Sequence, residues 1–169
     1  SVPLNIMRNN CLWYNKKLVE KIGIKIPMQT QDDFLAACEK AKKAGYAPLA
    51  VGAGGGQQFW WGQITEQMIL GAPHGGVEYI DKLYSGKADP AKDPAIREML
   101  TFLAKLISNG YINSDYSALT WDQAGDLLMT EKAVFYSMGD WVKGHFTSAG
   151  WVPKVDFDYQ PNPGTDGSF

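Results

Sequence analysis

Only two cysteines and two histidines occur among the 169 residues, too few for a disulfide scaffold. Cys11 and Cys38 lack metal-ligand spacing and read as buried free thiols, although their spacing alone leaves a pairing open. No dense Lys/Arg run is present and the formal net charge is −2, which leaves no electrostatic footprint for a phosphate backbone or an anionic membrane. Nucleic acid is therefore not expected as a partner. No apolar stretch approaches the roughly 20 residues that a membrane-spanning helix needs. The opening Ser1-Val2-Pro3-Leu4-Asn5-Ile6 has no basic segment followed by an apolar one, so it reads as neither signal peptide nor signal anchor, and any export signal is expected upstream or already removed. Internal repeats and low-complexity segments are absent as well.

Catalytic signatures are equally scarce. There is no Gly-x-Ser-x-Gly elbow, no His-Glu-x-x-His and no Cys–His pair in a motif, and His74 and His145 read as incidental. A glycosidase needs two carboxylates facing across a bond, and Asp140 has no evident partner near it in sequence. Gly52-Ala53-Gly54-Gly55-Gly56-Gln57 lies where a dinucleotide loop would lie, between a strand and a helix. Its sixth position is Gln57 rather than glycine, no acidic residue closes a second strand about 20 positions later, and no Gly-Lys-Ser/Thr is present. The loop reads instead as a turn that lets backbone approach another segment or a ligand closely. No cofactor is implied.

What the chain does have is enough apolar residue for one sizeable core, 45% against 20% charged, punctuated by glycine and proline. Residues 3–8 alternate and lead through Trp13-Tyr14 into a helix from Lys16 to Ile22 that Gly23 ends. Thr30 and Asp33 form an acidic capping pattern ahead of Phe34, Cys38 and Ala41, with Gly45 closing the helix. Pro48–Val51 reads as a buried strand, and a helix is expected over 59–70. Asp93-Pro94 opens the strongest helix, with a stripe of Ile96, Met99, Leu100, Leu103, Leu106 and Ile107 ending before Gly110. Thr120 and Gln123 match a capping box, Ala133–Ser137 reads as a buried strand, and a short helix is expected after Gly139. Val155, Phe157 and Tyr159 alternate with polar residues as a closing strand. Strands separated by helices argue an α/β layer structure, helix-rich, with a small, mostly parallel sheet.

Aromatic residues supply the positive functional signal. Phe59-Trp60-Trp61 follows the glycine turn, and Trp141 follows Asp140 in Met138-Gly139-Asp140-Trp141. One face of a pyranose is a patch of C–H groups that packs on an indole, while its hydroxyl rim seeks donors and acceptors. A carboxylate accepts from two adjacent hydroxyls, each bond to a charged group contributing about 1.5–3 kcal/mol. Six tryptophans can also be mostly core, but Trp60 and Trp61 point about 100° apart on a helix and oppositely on a strand, so both do not face one core.

Three stretches together resemble the extracellular sugar-binding proteins of ABC importers. The first is Asn9-Asn10-Cys11-Leu12-Trp13-Tyr14-Asn15-Lys16-Lys17 with Gly23-Ile24, Pro27, Thr30 and Phe34. The second is Ala44-Gly45-Tyr46-Ala47-Pro48-Leu49-Ala50. The third is Glu131-Lys132-Ala133-Val134-Phe135-Tyr136-Ser137-Met138-Gly139-Asp140-Trp141, with Glu131 where the family usually has glycine. The resemblance implies one lobe of a type II periplasmic-binding-protein fold: residues 1–160 as the C-terminal lobe, and 161–169 as a segment returning to a missing N-terminal lobe. It also implies a sugar ligand, of the glucose or galactose type by the Asp-Trp form of the third stretch, membrane permease subunits as partners, a periplasmic or extracellular place with a lipid anchor as one option for the parent, and no catalysis. Carried over residue by residue, the site would comprise Asn10 and Gln58 as polar contacts, Trp60 as a stacking surface, and Asp140 with Trp141. Gln57 could replace Gln58, and Trp61 could replace Trp60. A carbohydrate hydrolase using Asp140 and a non-sugar binder of the same architecture are the alternatives.

Overall fold

Leu12–Asn15 forms strand β1, and its last residue starts the next element. Asn15 is buried; its Oδ1 accepts the Leu18 N–H at 3.0 Å as a helix cap, and its Nδ2 donates to the Leu128 carbonyl at 2.9 Å. One amide thus ends a strand, caps a helix and ties both to a segment 113 positions away. The computed structural model describes residues 7–59 and 76–164. After β1 come α1 (Lys16–Ile22), α2 (Gln31–Lys43), β2 (Ala47–Ala50), α3 (Gly76–Tyr84), α4 (Pro94–Ser108), α5 (Trp121–Met129), β3 (Ala133–Ser137), α6 (Val142–Ser148) and β4 (Phe157–Gln160).

The start signals act as the sequence suggests. Thr30 and Asp33 exchange side-chain-to-backbone bonds at the head of α2, and Asp93 accepts the Ala95 N–H ahead of Pro94 in α4. Gln123 reaches back to the Thr120 N–H at 2.9 Å to open α5. All six described helices also stop alike, with two backbone N–H groups turned back onto the last turn around a left-handed residue. Five use glycine there; α5 uses Glu131, at φ 56°.

Two expectations shift. The strand entering α1 is Leu12–Asn15, whereas residues 7–8 carry no strand and 3–6 lie outside the described residues. The aromatic residues, not the alternation before them, pack on both sheet faces and so fix the strand. Of the helix expected over 59–70, only Phe59 is described, in a turn.

The sheet runs β2-β3-β1-β4. β2 and β3 are parallel, while β1 is antiparallel to both β3 and β4, pairing Trp13 with Tyr136 and Tyr159. Three strands therefore point one way, and the opposed β1 between β3 and β4 makes the sheet mixed. Leu12, Tyr14, Leu49, Val51 and Phe135 join Leu18, Phe34, Cys38, Phe102 and Leu106 in one core. Trp13, Ala50, Ala133, Tyr136 and Phe157 join Ala124, Leu128, Val142 and Phe146 in the other. Burial on both faces explains why β3 reads as an unbroken apolar run instead of an alternation. Strand direction gathers the ends of β2, β3 and β4 and the start of β1 at one edge of the sheet, which brings the segments 7–11, 51–59, 138–141 and 161–164 together.

Candidate functional site

In open α/β sheets ligands bind outside the carboxyl ends of the strands, and here that edge carries most of the residues singled out from sequence. Asp140 follows β3 and is half-buried. Its N–H donates to the Arg8 carbonyl at 2.8 Å, and the Met138 N–H donates to the Cys11 carbonyl at 3.1 Å, so the post-β3 turn is stitched to the segment entering β1. The carboxylate lies near Cys11: burial pushes that thiol up to about 12, the negative charge of Asp140 adds to the rise, and the Arg8 guanidinium opposes it. Arg8 Nη1 in turn donates to the Tyr159 hydroxyl at 3.2 Å, and the Tyr159 ring lies 5.2 Å from that of Trp13.

Trp141 occupies the cap position of α6 and is half-buried against the second core. Trp13, by contrast, is core: it is 2% exposed and its Nε1 donates to the Met138 carbonyl at 2.8 Å. That bond holds the backbone one residue before Gly139 from below, so the Asp140-Trp141 pair rides on a rigid floor.

Asn10 is half-buried at the same edge, but its Oδ1 already accepts from the Asn162 N–H at 2.9 Å and from the Asn162 Nδ2 at 3.2 Å. That oxygen is therefore committed within the fold. Gln58 is exposed. Gln57 turns the other way, and its Oε1 accepts the Trp121 N–H at 2.9 Å, which caps α5 from 64 positions away and favours Gln58 over Gln57 as the residue facing outward. Trp60 and Trp61 lie outside the described residues, as does His74.

The glycine turn resolves into its structural alternative. The Ala53 N–H donates to the Tyr116 carbonyl and the Gly54 N–H to the Leu119 carbonyl, each at 2.8 Å. A Cβ on Gly52 would fall 2.2 Å from the Thr120 carbonyl oxygen, and one on Gly54 2.7 Å from that of Ala118. These amides serve the 116–120 segment, so the loop cannot cradle a phosphate with them. Both cysteines are free and buried, and burial raises the Cys38 thiol further still. Among the described residues no group of three or more His, Cys, Asp or Glu side chains could hold a metal ion, and no helix is long and apolar enough to cross a membrane.

Sequence reasoning did not single out Trp121. Its N–H is held by Gln57 and its carbonyl accepts the buried Tyr136 hydroxyl at 2.6 Å, while its half-buried ring meets His145 edge-on at 5.8 Å. The capping box around it signals a helix start, and only its position as first residue of that helix, beside a glycine turn, hints at the strand-end edge. Asn162 was missed for a similar reason, since its partners Asn10 and Ser137 are distant in sequence.

Residues 2–168 match the family described as "Bacterial extracellular solute-binding protein". An uncharacterised ABC transporter extracellular-binding protein of Pyrococcus horikoshii is 37% identical over 165 residues, which cover 96% of this chain and 36% of that protein. A probable sugar-binding periplasmic protein of Mesorhizobium japonicum is 36% identical over 169 residues, 99% of this chain and 39% of that one. Among solved structures, a chitin oligosaccharide binding protein shares the fold with a TM-score of 0.80 at 24% identity, over 92% of this chain and 38% of that one. The chain thus spans less than two-fifths of the length of the curated relatives it matches.

Proposed function

The chain belongs to the bacterial extracellular solute-binding protein family, and from that premise we propose that it is the C-terminal lobe of a two-lobed sugar receptor that delivers its ligand to an ABC importer. Membership places it outside the cytoplasm. The lobe supplies one wall of a cleft, an N-terminal lobe supplies the other, and ligand shifts the pair toward a closed state. Residues 1–160 form the lobe and 161–169 the segment returning to its counterpart.

The observation that carries this reading is the convergence at one sheet edge of Asp140, Trp141, Asn10 and Gln58. An indole beside a carboxylate and carboxamides offers a C–H face its stacking surface and a hydroxyl rim its acceptors and donors. We assign the ligand as a monosaccharide of the glucose or galactose type, with Trp60 as a second stacking surface. The permease subunits of the importer are its membrane partners, and no bond in the sugar is made or broken.

Titration calorimetry with D-glucose and D-galactose tests the proposal. The two-lobed protein is expected to bind one of them, whereas this chain alone binds feebly, because half the contacts and all of the closure are missing. Micromolar affinity in the chain alone would contradict it, and steady release of reducing ends from oligosaccharides would make the protein a hydrolase.

A further inference from the structure

Gly139 is buried between β3 and α6, and its φ lies outside the left-handed range. Backbone conformation alone would therefore admit any residue there. The obstacle is a side chain: a Cβ on Gly139 would fall 2.1 Å from Cζ3, 2.3 Å from Cη2 and 2.5 Å from Cε3 of Trp141. These three nearest atoms all belong to the six-membered ring of one indole. Real Cβ contacts do not approach so closely, so the ring rests on the bare Cα of Gly139, two residues before its own.

We propose that Gly139 is a positioning residue for ligand binding: its absent side chain is the seat on which the Trp141 indole folds back, so that the ring's other face is held beside Asp140 at the sheet edge. The inference rests on the sugar-cleft reading and adds to it what fixes the indole's orientation. Trp141 has two rotatable side-chain bonds, and a ring free to swing would lose rotamer entropy on every binding event. Seating it on glycine removes that loss in advance. The neighbouring backbone makes the seat rigid, because the Asp140 N–H is held by Arg8, the Val142 N–H donates to the Gly139 carbonyl at 3.2 Å, and the Met138 carbonyl is held by Trp13.

A double-mutant cycle in the two-lobed protein tests this, using Gly139→Ala, Trp141→Ala and the two combined. The probes are D-glucose, D-galactose and a chito-oligosaccharide, and the tightest binder of the wild type is carried through all variants by calorimetry. Gly139→Ala is expected to weaken binding about tenfold, approaching the loss from Trp141→Ala, and to add nothing in the Trp141→Ala background. Its melting temperature should stay close to the wild type, because the displaced group is the far end of one side chain. Wild-type affinity in Gly139→Ala, or a loss that adds in full to that of Trp141→Ala, overturns the proposal. If Gly139→Ala fails to fold, the double variant decides: normal folding supports the ring as the only obstacle, and misfolding makes the glycine structural in its own right. No affinity change in Trp141→Ala, or no wild-type binding of any probe, removes the underlying sugar-cleft reading at this residue and the proposal with it.

Discussion

Asn162 donates its backbone N–H to Asn10 Oδ1 at 2.9 Å across 152 positions, and its Nδ2 reaches the same oxygen at 3.2 Å. Its own Oδ1 accepts from Ser137 Oγ at 2.9 Å, so one buried amide ties the segment entering β1, the end of β3 and the segment leaving β4. Asn10→Ala removes the acceptor for two donors of a residue that is 1% exposed. The expected cost is about 1–3 kcal/mol, the penalty for stranding a buried donor. Urea unfolding checks it: the midpoint should fall with the slope unchanged, and an unmoved midpoint would mean that the latch contributes nothing.

Gly52 and Gly144 should respond oppositely to alanine. At Gly52 the new Cβ meets the Thr120 carbonyl at 2.2 Å, backbone against backbone, whereas at Gly144 nothing lies within 4 Å. Gly52→Ala is expected to cost at least about 2 kcal/mol through forced separation of the loop from α5. Gly144→Ala, inside α6, should stabilise by about 0.5–1 kcal/mol through helix propensity. Thermal unfolding of both variants beside the wild type reads the contrast, and similar shifts in both would refute the close approach.

Acid should dissolve one helix cap in particular. Backbone and side-chain hydrogen bonds from Thr30 and a backbone bond from Gln29 hold the Asp33 carboxyl below its ordinary value of 3.8. A depressed folded pKa contributes stability that is fully present above the unfolded value and is lost as pH falls through the folded one. The wild type should therefore outlast Asp33→Asn by a constant margin above about pH 5, and that margin should shrink below about pH 4. Melting temperatures across that range test it, and a margin independent of pH would show that the charge plays no part.

These caps mark what was legible in the sequence. Thr30 with Asp33, Asp93 with Pro94, and Thr120 with Gln123 speak within one turn of chain, and the glycine stops do the same, so helix ends could be read locally. The direction of β1 could not, because it depends on pairing Trp13 with residues more than a hundred positions away. α3 escaped because the sequence just ahead of Gly76 holds no Ser, Thr, Asp or Asn to signal a helix start. At the site, Asp140 and Trp141 were visible as a contiguous pair, whereas the inward commitments of Gln57 to Trp121 and Asn10 to Asn162 are long-range facts. A glutamine or asparagine looks the same in sequence whether it faces a ligand or caps a helix.

Glu131 tests the helix stops directly. It occupies the left-handed position that glycine fills at the other five described helix ends, with φ 56°, and its carboxylate pairs with the exposed Lys17. Comparing Glu131→Gly with Glu131→Ala cancels the ion pair, which both lose, and leaves the backbone. The glycine variant is expected to be more stable than the alanine variant by about 1 kcal/mol. Equal chemical-denaturation midpoints would remove strain at this turn from the account.

Asp140 carries the heaviest prediction. Its backbone N–H bonds Arg8 and its carbonyl accepts from Lys143 at 3.1 Å, so the post-β3 turn keeps these ties whatever the side chain. Asp140→Ala should therefore fold normally and fail selectively. In the two-lobed protein, two sugar hydroxyls bonded to that carboxylate would make the loss about 2–4 kcal/mol, roughly a 30-fold to 1000-fold rise in Kd. Asp140→Asn keeps the shape and one acceptor oxygen, so it should fall between wild type and alanine. Calorimetry on all three settles the order: an unchanged Kd in Asp140→Ala takes the residue out of the site, and equal losses in both variants would assign the effect to charge alone rather than to the pair of accepting oxygens.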